Sequence, residues 1–324
     1  LVHFSFLTEL DRLVQMESIG PIGLAVILWR NSMADGATYA HSRGPLKKAE
    51  VFKTTDGAEL VGEFFLPVGA AHGAIVINGA TGVPQTFYRA FAEYAAQEHG
   101  FVVFTYDYRD MGRSGRGSVR RSTASMADWG LQDQQAARAY VRRNFPELAF
   151  WTIGHSLGAM TLPLQQDTDG IDRVICVASG NVSHSDHPWP YRAQALMFWF
   201  GLGPVVAGLF GYVPGKLLGI GADLPGPAYW QWRRWCTSKN TFGDEAGRSL
   251  PAIHWNQPET QVKFIAFDDD VMMPPHCVKR LARDYGKTDA DVTVITPEAH
   301  GLKAVGHLSA FSRKNRAIWD QILA

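Results

Sequence analysis

Residues 154–158 read Gly-His-Ser-Leu-Gly, a serine with a glycine two residues to either side, placed where an apolar run (148–153) ends. A serine hydroxyl is a poor nucleophile near neutral pH unless a base takes its proton, and that base needs an acid to orient it. The spacing gives a reason to expect a nucleophile at Ser156. A strand-to-helix turn tight enough to expose the hydroxyl leaves room only for small residues two before and two after it. The hydroxyl would then stand at a helix N-terminus, where unpaired N–H groups favour developing negative charge. The bland alternative is a tight connection that contains an inert serine.

The partners of such a turn follow it in the chain, acid first and histidine second. The run 261–275, QVKFIAFDDDVMMPP, ends an apolar segment in three adjacent carboxylates, Asp268, Asp269 and Asp270. All three cannot be buried and ionised cheaply, so they must serve different purposes. Asp268 lies hard against the apolar segment, whereas Asp270 sits four residues before Pro274, where a helix can start; Asp270 is the expected acid and Asp269 the alternative. Downstream, DVTVITPEAHGLKAVGHLSAF offers His300 and His307. His307 is the expected base because it directly precedes an apolar stretch that reads as the start of the last helix. An oxyanion also needs two preorganised N–H donors. Leu157 is the expected first donor; the loop GATGV after GAIVIN provides the second, with Ala80 expected and Thr81 next. A triad of this kind works without a cofactor or metal, and none is expected.

These residues have to be held by elements, and the chain alternates between two periodicities. Around TDG, residues 50–54 and 59–67 read as a β-hairpin. GAIVIN (73–78), FVVFTYD (101–107), 148–153, IDRVICVAS and QVKFIAF are short, nearly continuous apolar runs, as expected of strands buried on both faces. Helical spacing appears in 85–100, 126–144, 157–165, 275–286 and from about 308. The alternation implies an α/β fold with a mostly parallel sheet and helices on both faces. Residues 181–255 break the rhythm, being rich in Trp, Gly and Pro, and read as a cap inserted into a core made of 46–180 and 256–324. Within it, Phe198, Trp199 and Phe200 are candidates for an apolar acyl pocket over Ser156.

The bulk composition excludes several classes of function. Lys+Arg and Asp+Glu are both 31, so no nucleic-acid partner is indicated. The three cysteines contain no CxxC pair, which fits a reducing, cytoplasmic setting and no zinc site. The loop 109–121 carries five arginines but lacks the phosphate-loop pattern, and reads as a solvated rim. HSDH at 184–187 lacks a third ligand at metal spacing. Residues 1–45 read as a peripheral extension. Their uncharged run 18–29 is too short to span a bilayer, and no basic leader precedes it.

Taken together, NGATGVPQTFYR, FTYDYRDMGRSGRG, GHSLGA, KLLGIGADLPG, WQWRRWC, DDDVMMPP and GLKAVGHLSAF resemble the α/β-hydrolase superfamily, of the serine esterase/lipase type, and within it a bacterial branch. The likeness runs over about residues 50–323. It implies the α/β-hydrolase fold, a triad of Ser156, Asp270 and His307, and hydrolysis of a small-molecule carboxylic ester. Lactonase, thioesterase or amidase chemistry on the same triad, or a non-catalytic binding cup, are the alternatives. The chain departs from the pattern twice: Asn78 stands where many relatives have His, and Asp110 where a glycine is common.

Overall fold

The computed structural model describes residues 46–324, except 220, 243–244, 256–257 and 289–290. The expectation of a peripheral extension over 1–45 lies outside the described residues. The strands are β1 (Leu46–Lys53), β2 (Glu59–Leu66), β3 (Gly73–Asn78), β4 (Phe101–Tyr106), β5 (Ala149–His155), β6 (Arg173–Val177), β7 (Tyr212–Val213), β8 (Leu224–Pro225), β9 (Gln261–Phe267) and β10 (Val292–Ile295). Eight of them form one sheet in the order β1-β2-β4-β3-β5-β6-β9-β10. The hairpin β1–β2 and the β2–β4 pair are antiparallel, and every other neighbour is parallel.

Alternation along the central strands divides the interior into two layers, because successive side chains point to opposite faces. On β3, Ala74 and Val76 join one core while Ile75 and Ile77 join the other. Val262, Phe264 and Ala266 of β9 face the first, and Ile265 and Phe267 the second. Helix α1 (Arg89–His99) covers the second face with Phe91, Ala92, Ala95 and Ala96. Helix α2 (Gln134–Asn144) covers the first with Ala137 and Val141. Further along come α3 (Leu157–Met160), α4 (Tyr191–Leu196), α5 (Leu202–Phe210), α6 (Gly226–Thr237), α7 (Pro275–Asp284) and α8 (Trp319–Leu323). Helix α7 packs on the first face through Val278 and Leu281, and α8 on the second through Trp319 and Ile322.

Three helical expectations change. The stretch 126–144 is composite: a turn of α-helix, Met126–Asp128, then a π-helical segment Trp129–Asp133, then α2. The helix after Ser156 is a single turn, because Pro163 enters a 3-10 turn at Leu162–Leu164. The last helical region begins at Arg313 rather than near 308, so His307 is held by a loop and not by a helix start. Between β6 and β9 the chain leaves the sheet to form α4, α5, α6 and the two-stranded ribbon β7–β8.

Candidate active site

Ser156 sits at the junction of β5 and α3 with φ 54 and ψ −115, a conformation that costs a non-glycine residue about 1–3 kcal/mol. The flanking glycines make this junction possible by close approach. A Cβ on Gly154 would lie 2.4 Å from the Ala159 nitrogen, and one on Gly158 would lie 2.1 Å from the Asn78 carbonyl oxygen. Gly154 therefore lets α3 fold back on its own strand. Gly158 lets that helix press against the end of β3, which brings the Leu157 N–H beside the loop that follows Asn78.

His307 and Asp270 reach Ser156 from the other end of the chain. His307 Nε2 lies 3.0 Å from Ser156 Oγ, and its Nδ1 lies 2.8 Å from Asp270 Oδ2. A carboxylate only accepts, so Nδ1 carries the ring proton and Nε2 accepts from the serine hydroxyl. Asp270 is 2% exposed, and its other oxygen accepts the N–H groups of Met272 and Met273 at 2.9 and 2.8 Å. The three adjacent aspartates have three different partners. Asp268 accepts from the Thr296 hydroxyl at 2.6 Å, tying the end of β9 to the end of β10. Asp269 accepts the N–H of Val305 at 2.8 Å and of Gly306 at 2.9 Å, fixing the backbone immediately ahead of His307. His300 lies at the end of a 3-10 turn, Pro297–His300, away from this chain of contacts.

The loop after β3 is held by three tyrosines. Tyr106 donates to Asn78 Oδ1 at 2.7 Å, Tyr108 donates to the Gly79 carbonyl at 2.9 Å, and the Ala80 N–H donates to the Tyr88 hydroxyl at 2.8 Å. Ala80, expected as the second oxyanion donor, therefore has its N–H committed to a buried phenol. The N–H of Thr81, the second choice, finds no acceptor among the described residues, and neither does that of Leu157. The direction of the turn decides this, and the types of residue in GATG do not reveal it.

His155, the residue before the nucleophile, is fully buried and links the loop to the base. Its Nε2 lies 2.8 Å from the His307 carbonyl oxygen, which only accepts, so Nε2 carries the proton. Nδ1 then accepts from the Tyr88 hydroxyl at 2.9 Å. Burial, with His307 close by, pushes its pKa down from 6.5 to about 3, so the ring is neutral. Sequence reasoning misses Tyr88 and His155, which only their polarity within apolar surroundings marks, and weighs Asp269 only as the alternative acid.

Phe198 and Trp199 pack against Tyr229 and Trp232, and Phe200 is half exposed beneath the Arg233 guanidinium, so the trio belongs to an aromatic cluster within the insertion. His187, by contrast, donates from Nδ1 to the Val271 carbonyl at 3.2 Å and packs edge-on against Tyr191, so this part of the insertion touches the acid loop. Asp186 is engaged by Arg280 at 2.9 and 3.0 Å, and although His276 and Cys277 lie near it, the guanidinium occupies the carboxylate. Asp110 explains its own departure from glycine: it has φ 59, a conformation Asp tolerates better than most residues, and accepts from Ser122 at 2.5 Å.

A partly buried serine on a strained strand-to-helix turn, a buried acid and a histidine arriving in that order, and a mostly parallel sheet define a class of protein. Residues 72–319 match the alpha/beta hydrolase family, and the chain belongs to it. Solved structures of similar fold include an esterase of Pyrococcus furiosus, 14% identical, covering 88% of this chain and 93% of its own, with TM-score 0.55. A hypothetical protein of Pseudomonas aeruginosa is 15% identical, with 88% and 94% covered and TM-score 0.56. An esterase domain from a Rhodothermus marinus protein is 13% identical, with 86% and 96% covered and TM-score 0.51. Likeness at these identities is likeness of fold. A search of curated proteins returns no match.

Proposed function

We propose that the protein is a serine hydrolase that cleaves carboxylic esters through an acyl-enzyme. The observation that carries this reading is the unbroken contact chain from Asp270 through His307 to Ser156. In this mechanism Ser156 Oγ attacks the ester carbonyl as His307 Nε2 takes its proton. Asp270 holds the Nδ1–H tautomer and stabilises the imidazolium that forms. The Leu157 and Thr81 N–H groups receive the oxyanion, Thr81 taking the place first given to Ala80. His307 then delivers its proton to the leaving alcohol, and water, deprotonated by the same histidine, releases the acid and frees Ser156. The insertion 181–255 acts as a cap that shapes entry, supported by the His187 contact with the acid loop.

A preference for short to medium acyl groups is part of this reading, supported by the aromatic composition of the insertion. A panel of p-nitrophenyl esters of graded chain length measures it directly, alongside lactone and thioester substrates. Ser156→Ala is expected to lower kcat by about 10⁴-fold or more. Absence of turnover by the wild type on every ester would overturn the ester reading, and activity surviving in Ser156→Ala would overturn the mechanism.

A further inference from the structure

Residues 188–222 contain no acidic residue, and their two charged residues, Arg192 and Lys216, are basic. Within this stretch α4, the π-helical segment Met197–Gly201 and α5 run as one helix, Tyr191–Phe210, of 20 residues. By length and composition it could cross a bilayer. Its packing indicates otherwise: one side, Ala195, Trp199, Val206 and Ala207, is buried in the protein. The other side is bare. Met197, Leu202, Val205, Leu209 and Phe210 are between 48% and 71% exposed. The π-helical segment, with its extra residue per turn, shifts the register so that Met197 is followed on this face by Leu202, after which normal helical spacing resumes. Past the helix, Leu217 in the turn Gly215–Leu218 is 84% exposed.

Basic side chains stand at one end of this face. The Arg120 side chain lies against Gly211, the residue after Phe210, with its Cγ 3.4 Å from where a Cβ would be. Arg120 and its neighbour Arg121 are exposed, and neither meets a carboxylate among the described residues. A helix with one buried side, one exposed apolar side and cations at its margin matches the interface between acyl chains and anionic headgroups. We infer that this face docks the protein on anionic lipid bilayers, with the helix lying in the plane of the interface. A second copy of the chain fits less well: a two-fold contact through this face would bring the arginines of both copies together with no carboxylate from 188–222 to answer them.

The test is flotation of the full chain with vesicles of phosphatidylcholine alone, and with about a third phosphatidylglycerol. Association with the anionic vesicles, weakened by salt, is expected. Leu209→Glu with Phe210→Glu, and separately Arg120→Glu with Arg121→Glu, should each weaken partitioning at least about tenfold. Both pairs should keep wild-type circular dichroism and wild-type turnover of a soluble short ester. Ser156→Ala should bind vesicles like the wild type, so this inference and the ester reading fail independently. No binding by the wild type, binding unchanged by the apolar pair, or a dimer in light scattering that the apolar pair dissociates would each overturn the proposal.

Discussion

Asp268, Asp269 and Asp270 have the same side chain at consecutive positions, yet their substitutions should have separable effects. In Asp270→Asn the acceptor for the His307 Nδ1–H can be replaced by an amide donor that favours the wrong tautomer, so kcat should fall by about 10⁴-fold with the fold intact. Asp269→Ala removes the acceptor for two backbone N–H groups and should cost about 1–3 kcal/mol of stability, with a smaller loss of kcat. Asp269→Asn keeps one acceptor oxygen and should recover part of that activity. Steady-state kinetics with urea denaturation on the three variants checks the division. Equal losses in kcat for Asp269→Asn and Asp270→Asn would contradict it. The sequence singled out Asp270 from its distance to Pro274, but the task of Asp269 depends on backbone N–H groups 36 and 37 residues away. Side-chain type carries no record of such a contact. The same limit applies to Ala80, whose N–H direction is set by the turn and not by the methyl group that the sequence displays.

At the scale of elements, the short turn α3 depends on the two glycines more than on its own helical propensity. Four residues are too few to hold a helix in water, so its position follows from what it is pressed against. Gly158→Ala places a Cβ 2.1 Å from the backbone oxygen of Asn78, an atom that no side-chain rotation can move aside. The turn must shift away from β3, displacing Ser156 and the Leu157 N–H from the loop that follows β3. The expected result is a loss of about 3 kcal/mol or more in stability and a fall in kcat well beyond what the stability loss explains. Thermal unfolding and kinetics below the midpoint measure both; a variant with wild-type kcat would show that the β3 contact does not set the site. The strands were readable because burial on both faces leaves continuous apolar runs such as GAIVIN and QVKFIAF. The helices were less so: the π-helical turn at Trp129–Asp133 and the 3-10 turn at Arg313–Ile318 share the apolar spacing of an α-helix closely enough that spacing does not separate them. The ribbon β7–β8 has two residues per strand, too short to show any period.

Across the whole molecule, His155 is where three distant parts of the chain meet: the loop after β3 through Tyr88, the nucleophile turn, and the His307 loop 152 residues away. This arrangement makes stability depend on pH in a way that can be assigned to one ring. Unfolded, His155 titrates near 6.5; folded, it stays neutral to about 3. Above 6.5 both states are neutral and the ring contributes no pH dependence. Below 6.5 the unfolded chain gains a proton that the folded chain excludes, so acid favours unfolding, increasingly as the pH approaches 3. Between pH 7 and pH 5 this amounts to roughly 2 kcal/mol. His155→Gln lacks the titrating ring, so although it is less stable at pH 7 through its lost contacts, its stability should fall less on acidification. The quantity to compare is the slope of unfolding free energy against pH, measured by urea denaturation on both proteins. Other carboxylates and histidines contribute to each slope alike and cancel in the difference. Equal slopes would mean that the ring accepts a proton in the folded state, and then the Tyr88–His155–His307 tie could not keep its donors and acceptors in the order described.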